Sequence, residues 1–177
     1  MNAARRYAPS RRALHWLMFL GVVLAFVFIE GREWFERGTP ARLAMVQAHF
    51  WVGITLFALM LPRLLLAFSR PAPAVVPQLP AWQALPAKAV HLLLYAMLLV
   101  QPLLGLGTAW TDGKEILLPL TQIALPALLA PDAALAGQLE ELHEWVGTAF
   151  YWVVGLHVAA ALYHHFVRRD DTLRRMT

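Results

Sequence analysis

The sequence predicts an all-α integral membrane protein, a single domain (residues 1–177) folded as a bundle of four transmembrane helices. Three observations predict it: an excess of apolar residues, their concentration into four long blocks, and arginines set beside those blocks. Of 177 residues, 59% are hydrophobic and 15% charged, whereas a soluble domain is about 45–50% apolar and about 25% charged. A helix crossing a hydrocarbon layer of ~30 Å needs about 20 residues at 1.5 Å rise. Residues 13–31, 42–67, 87–110 and 141–167 each supply such a run.

The first block follows Arg5, Arg6, Arg11 and Arg12, as the apolar part of a signal peptide would. Its apolar run is longer than that of a signal peptide, and Glu30-Gly31-Arg32-Glu33 stands where a small-residue cleavage site belongs. It is expected to be a retained helix. The second block carries Pro62-Arg63 near its end, and the third contains Pro102. Between them, residues 70–86 hold Pro71, Pro73, Pro77, Pro80 and Pro86 and read as an extended connector. A fifth apolar stretch, residues 116–130, contains Pro119 and Pro126 and is followed by Pro131. Lipid-exposed backbone cannot forgo helical hydrogen bonds that often, so this stretch is expected to lie as a loop on one membrane face.

Basic residues set the orientation. Arg5, Arg6, Arg11 and Arg12, then Arg63, Arg70 and Lys88, then Arg168, Arg169, Arg174 and Arg175 place eleven on one side. Arg32, Arg37, Arg42 and Lys114 place four on the other, beside the acidic Asp112, Glu115, Asp132, Glu140 and Glu141. Both termini are therefore expected in the cytoplasm. The net charge of +4 does not point to nucleic acid, because the arginines stand where topology requires them. Cysteine is absent, which excludes a disulfide framework and a Cys-x-x-Cys-His covalent haem site.

Seven histidines occur, most of them inside or at the ends of apolar blocks, where polar groups are costly and usually functional. Their expected depths form two layers, with His49 and His143 toward the outer end and His15 and His157 toward the inner end. His143 and His157 are 14 residues apart, about four helical turns and roughly 21 Å on one face. Two ligands so placed serve two cofactors stacked across a bilayer, each needing a partner at matching depth. Imidazole is an expected axial ligand of haem iron, and two per iron favour electron transfer over oxygen binding. The motif H-x-W-V-G repeats at His49 and His143, setting Gly53 and Gly147 one turn beyond each histidine, where a flat macrocycle can approach the backbone. The bland alternative for any one histidine is a plain interhelical hydrogen bond. His91 stands open between inner ligand in place of His15, quinone contact and interhelical donor. His164 and His165 mark the inner edge. Arg11, Arg12, Arg168 and Arg169 serve topology first, one or two of them being candidates to pair with haem propionates. The seven tryptophans are expected mainly as interface anchors.

Several stretches resemble the bacterial cytochrome b561 family, which is related to the b-type subunits of hydrogenases. They are Leu14-His15-Trp16, His49-x-x-x-Gly53, Arg63-Leu64-Leu65-Leu66 followed by Pro71-x-Pro73, Gly155-Leu156-His157 through His164-His165, and Asp171-Thr172-Leu173-Arg174-Arg175-Met176. The resemblance covers nearly the whole chain. It implies a four-helix bundle in the bacterial inner membrane and two non-covalent haems b, ligated by His15 and His157 and by His49 and His143. The small stand-alone members it most resembles oxidise superoxide and reduce ubiquinone. That implies a role for outer cations, Arg42 and Lys114, in attracting the anion, and for His91, His164 or His165 beside the quinone. The loop Thr111-Asp112-Gly113-Lys114-Glu115 is less basic than an anion funnel wants. Two rival readings are a cytochrome b subunit serving a partner dehydrogenase or hydrogenase, and a haem-free transporter or scaffold lined by histidines.

Overall fold

The structure, a computed structural model, describes residues 6–69 and 72–177; Arg5, Arg70 and Pro71 lie outside them. Four helices follow in order, α1 Pro9–Gly31, α2 Pro40–Ser69, α3 Ala81–Thr111 and α4 Ala133–Tyr163. A short 3-10 turn, Arg32–Trp34, follows α1, and a π-helical turn, His164–Arg168, extends α4. All four helices are long and apolar enough to cross a membrane. The described residues form no strand, only an isolated bridge between Leu117 and Ala124 inside the expected loop. Large apolar side chains such as Phe68, Trp152 and Leu65 point outward, more than two-thirds exposed, as a surface solvated by lipid requires.

All four helices begin before their expected limits, and α2 and α3 also end beyond them. α3 begins at Ala81, so Pro86 lies inside it rather than in the connector. α4 begins at Ala133, eight residues before 141, because the Asp132 carboxylate caps it, accepting from Ala134 N and Leu135 N at 3.0 Å each. These added turns are polar or follow proline, so hydropathy alone passes over them. Pro9 and Pro40 open α1 and α2, where proline's missing N–H costs nothing. Just beyond α3, Gly113 with φ +69° lets Lys114 N reach back to Ala109 O at 2.8 Å.

Packing is uneven. α1 lies on α2, α2 on α3 and α3 on α4, but no Cα of α4 comes within 8 Å of α1 or α2. Met18, Val22, Leu56, Met60 and Phe150 form the small buried core at mid-depth. Loop residues 115–117 are pinned to α2, where Gln47 donates to Glu115 O and accepts from Leu117 N, and Trp51 Nε1 donates to Leu117 O. This end is called the loop face below. At the opposite, terminal face the C-terminal segment folds back over the bundle. Tyr7 N donates to Arg175 O, Trp16 Nε1 to Met176 O, and Val76 N to the Asp171 carboxylate. Arg12 reaches Thr177 O and Arg175 reaches Pro73 O.

Candidate functional site

The stand-off between α4 and its diagonal partners opens two cavities, of about 290 Å³ toward the loop face and about 250 Å³ toward the terminal face. Each holds a histidine from α4 and one from across the gap. In the loop-face cavity the rings of His49 (α2) and His143 (α4) have centroids 6.2 Å apart, with planes at 89°. In the terminal-face cavity His15 (α1) and His157 (α4) are also 6.2 Å apart, at 72°. A metal–nitrogen bond of about 2 Å on each side, plus the ring radii, puts two trans imidazole centroids about 6 Å apart. Both pairs meet that requirement, and the helices that carry them are too far apart to pack directly.

Tautomers follow from the partners. His49 Nδ1 donates to Ala25 O at 2.8 Å, and His143 Nδ1 donates to Gln101 O at 3.1 Å. Each ring is thereby oriented with its Nε2 lone pair available, the arrangement metal-bound imidazole uses. Gln101 also donates through Nε2 to His143 O at 2.8 Å, clamping α3 to α4 at the ligand itself. His15 differs, because its Nδ1 faces Arg63 Nη2 at 3.4 Å. His91 lines the terminal-face cavity, 5.3 Å from His157, with Nδ1 donating to Ala87 O at 2.6 Å. That separation is shorter than a metal-bridged pair needs, so His15 is the better partner for His157.

The glycines divide by role. A Cβ on Gly53 would enter open space in the loop-face cavity, room that a flat group can occupy. A Cβ on Gly147 would stand 2.9 Å from Gln101 Nε2, so that glycine admits the clamp. Gly105, which sequence reasoning passed over, lies behind the ligand: its Cβ would stand 2.9 Å from His143 Cε1. Gly105→Ala is therefore expected to displace the His143 ring and lower the loop-face site's cofactor content, read from absorbance per chain. Gly53→Ala meets no protein atom and, inside α2, should stabilise the fold by about 0.5–1 kcal/mol, read from thermal unfolding.

The remaining nominated residues lie apart from the cavities. Arg42 does not line one: it donates to Glu33 at 2.7 Å and to Arg32 O and Phe35 O, tying down the α1–α2 turn. Lys114 pairs with Asp112 at 2.7 Å. His164 Nδ1 donates to the Asp170 carboxylate at 2.6 Å, and His165 Nδ1 is buried without a partner. Of the arginines nominated for propionates, Arg12 is engaged by Thr177, Arg168 by Gln83 and Asp170, and Arg169 lines neither cavity; Arg11 lines the terminal-face cavity while donating to Ala67 O at 3.5 Å and lying over the Tyr7 ring. Among the described residues no group of three or more His, Cys, Asp or Glu forms a metal cage. A transition metal held by one of these imidazole pairs needs further ligands, which a porphyrin provides.

Such a fold and site define a membrane electron-transfer cytochrome. The chain matches the prokaryotic cytochrome b561 family over residues 6–177 and belongs to it; proteins of this family bind haem b. It is 31% identical to cytochrome b561 homolog 1 of Escherichia coli (strain K12), over 97% of this chain and 96% of that protein. It is 30% identical to the probable superoxide oxidase CybB of Yersinia pestis, over 97% and 96% respectively. It is also 30% identical to cytochrome b561 homolog 2 of Escherichia coli (strain K12), over 99% and 93%.

Proposed function

We propose that this chain is a di-haem b cytochrome that carries electrons across the bacterial inner membrane, from superoxide to ubiquinone. The observation that carries the reading is the 6.2 Å imidazole separation found in each of two cavities. His49 and His143 would hold one haem and His15 and His157 the other. Bound there, haem b would supply reversible one-electron chemistry. Ala25 O and Gln101 O keep the loop-face imidazoles in the ligating tautomer. Val22, Leu98 and Phe150 line both cavities and make the wall between them apolar, excluding water along the path. The excess of basic residues at the terminal face supports a cytoplasmic terminal face and an outer loop face.

The donor is assigned from similarity to the probable superoxide oxidase of Yersinia pestis. Two superoxide ions each lose one electron and leave as oxygen. Ubiquinone takes up those two electrons and two protons at the terminal face, where His91, His164 and His165 are the groups proposed to meet it. A second reading, a protein donor as in dehydrogenase or hydrogenase complexes, is favoured by charge. Residues 30–42 and 112–144 hold nine carboxylates against four cations, and three of those cations, Arg32, Arg42 and Lys114, are ion-paired. Such a face suits a basic protein better than an anion.

Stopped-flow mixing of oxidised protein with superoxide separates the two. The superoxide reading expects rapid haem reduction and quinone-dependent superoxide loss. It also expects Lys114→Glu to lower the second-order rate about two- to five-fold with an unchanged spectrum. Haem that stays oxidised under superoxide, but is reduced by a basic redox protein, hands the donor role to a protein partner. An absorption spectrum without haem bands sinks both readings and leaves the histidine-lined transporter.

A further inference from the structure

The two cavities share apolar walls but carry opposite charge. The terminal-face cavity is lined by Arg11, Arg63 and Arg175 and, among the described residues, by no carboxylate. The loop-face cavity is lined by Glu30, Glu33 and Glu144 and a single guanidinium, Arg32. Arg42 and Arg32 both pair with Glu33, at 2.7 and 3.0 Å, so three carboxylates meet two guanidiniums and the excess is one negative charge.

Arg175 is the most telling of these residues. It is 6% exposed, packs over the Tyr7 ring and donates to Pro73 O. Its Nε has no hydrogen-bond acceptor, and Asp171 Oδ1 is 3.7 Å away. A guanidinium carries five N–H donors, and burying a charge whose donors are unmatched is costly. An anion in the cavity would match them. Arg63, in the same wall, gives one N–H to Arg11 O and directs Nη2 at His15.

We infer that Arg63 and Arg175 hold the carboxylates of the terminal-face haem, and that the opposed linings make this site the stronger electron acceptor of the two. The inference rests on the two-haem reading above. Both haems bring the same propionates, so those charges cancel in the comparison and the protein's own charges decide. Reduction adds one negative charge to a site. Guanidiniums nearby favour that addition and carboxylates oppose it, with little screening in a low-dielectric interior. An electron leaving the loop-face site, which is oxidised by one, is therefore drawn to the terminal-face site, which is reduced by one. The direction is written into the chain and does not depend on the identity of the donor.

The test is redox titration of full-length protein in detergent, followed by absorbance, in His49→Ala (terminal-face site retained) and His15→Ala (loop-face site retained). Haem content is measured first: failure of either variant to keep one haem defeats the two-site reading on its own. With one haem in each, the terminal-face midpoint is expected to be the higher. Arg175→Gln should lower that midpoint, and Arg175→Lys should restore it, which loss of packing alone would not do. Glu144→Gln should raise the loop-face midpoint and leave the other unchanged. If Arg175→Gln loses its haem, the order of the two unsubstituted midpoints and the Glu144→Gln shift decide. Equal or reversed midpoints, or an unmoved loop-face midpoint in Glu144→Gln, overturn the inference.

Discussion

Purified protein carrying His49→Ala is expected to hold half the haem b of the unsubstituted chain. His49 lines the loop-face cavity only, and the two sites share just one ligand-bearing helix, α4. If His49 holds this haem, alanine would remove that ligand and with it the ring anchored on Ala25 O at 2.8 Å. The terminal-face pair, on α1 and α4, keeps its own 6.2 Å spacing. Haem extracted and quantified per chain checks this, with low-spin bands persisting at half amplitude. Full retention would mean that His49 is not a ligand; complete loss would defeat the two-site reading.

The second large effect is expected at the terminal face, away from both cavities. The Asp170 side chain is fully buried, accepting from His164 Nδ1 at 2.6 Å and Thr172 N at 2.9 Å, with Arg168 Nε at 3.5 Å. It follows Arg169, whose left-handed φ of +55° turns the chain back under α4. Asp170→Ala leaves those donors without an acceptor and is expected to destabilise the fold by about 3–5 kcal/mol, seen as earlier thermal unfolding in detergent. Burial pushes the Asp170 carboxyl up, but the hydrogen bonds from His164 and Thr172 outweigh it and hold it below the usual carboxylate range. A carboxylate depressed by folding stabilises fully above its unfolded pKa of about 3.9 and loses that contribution as pH falls through its folded value. The gap between the unsubstituted chain and Asp170→Ala should therefore be constant from about pH 5 to 8 and close below about pH 4. A gap already closing at pH 6 would overturn the assignment of this stability to the Asp170 carboxylate.

The four helices were legible because a bilayer imposes a length and a composition on any segment that crosses it. Their added turns were not: the first turns of α4 owe their helicity to the Asp132 cap, and the start of α3 follows Pro80. Depth and the 14-residue spacing on α4 singled out four histidines, since a helix converts sequence separation into distance along the membrane normal. Gln101, Gly105 and Tyr151 left no comparable trace. Their roles depend on what lies opposite: Gln101 on the His143 backbone, Gly105 on the His143 ring, Tyr151 on Phe26, stacked at 3.7 Å.

Charge shows the same division. The sequence alone determined that cations crowd one end of the bundle, because topology needs only a count of residues near each span. Only the tertiary structure decided which of those cations face a cavity. Arg12 and Arg168 are consumed by the C-terminal segment and by Asp170, while Arg63 and Arg175, 112 residues apart in the chain, line one wall. Arg42 and Lys114, exposed in any reading of the sequence, have carboxylate partners. The reason is physical: hydropathy and helical period act along the chain and can be read from it. Whether a guanidinium meets a carbonyl, a carboxylate or an open cavity depends on side chains that only folding brings within reach.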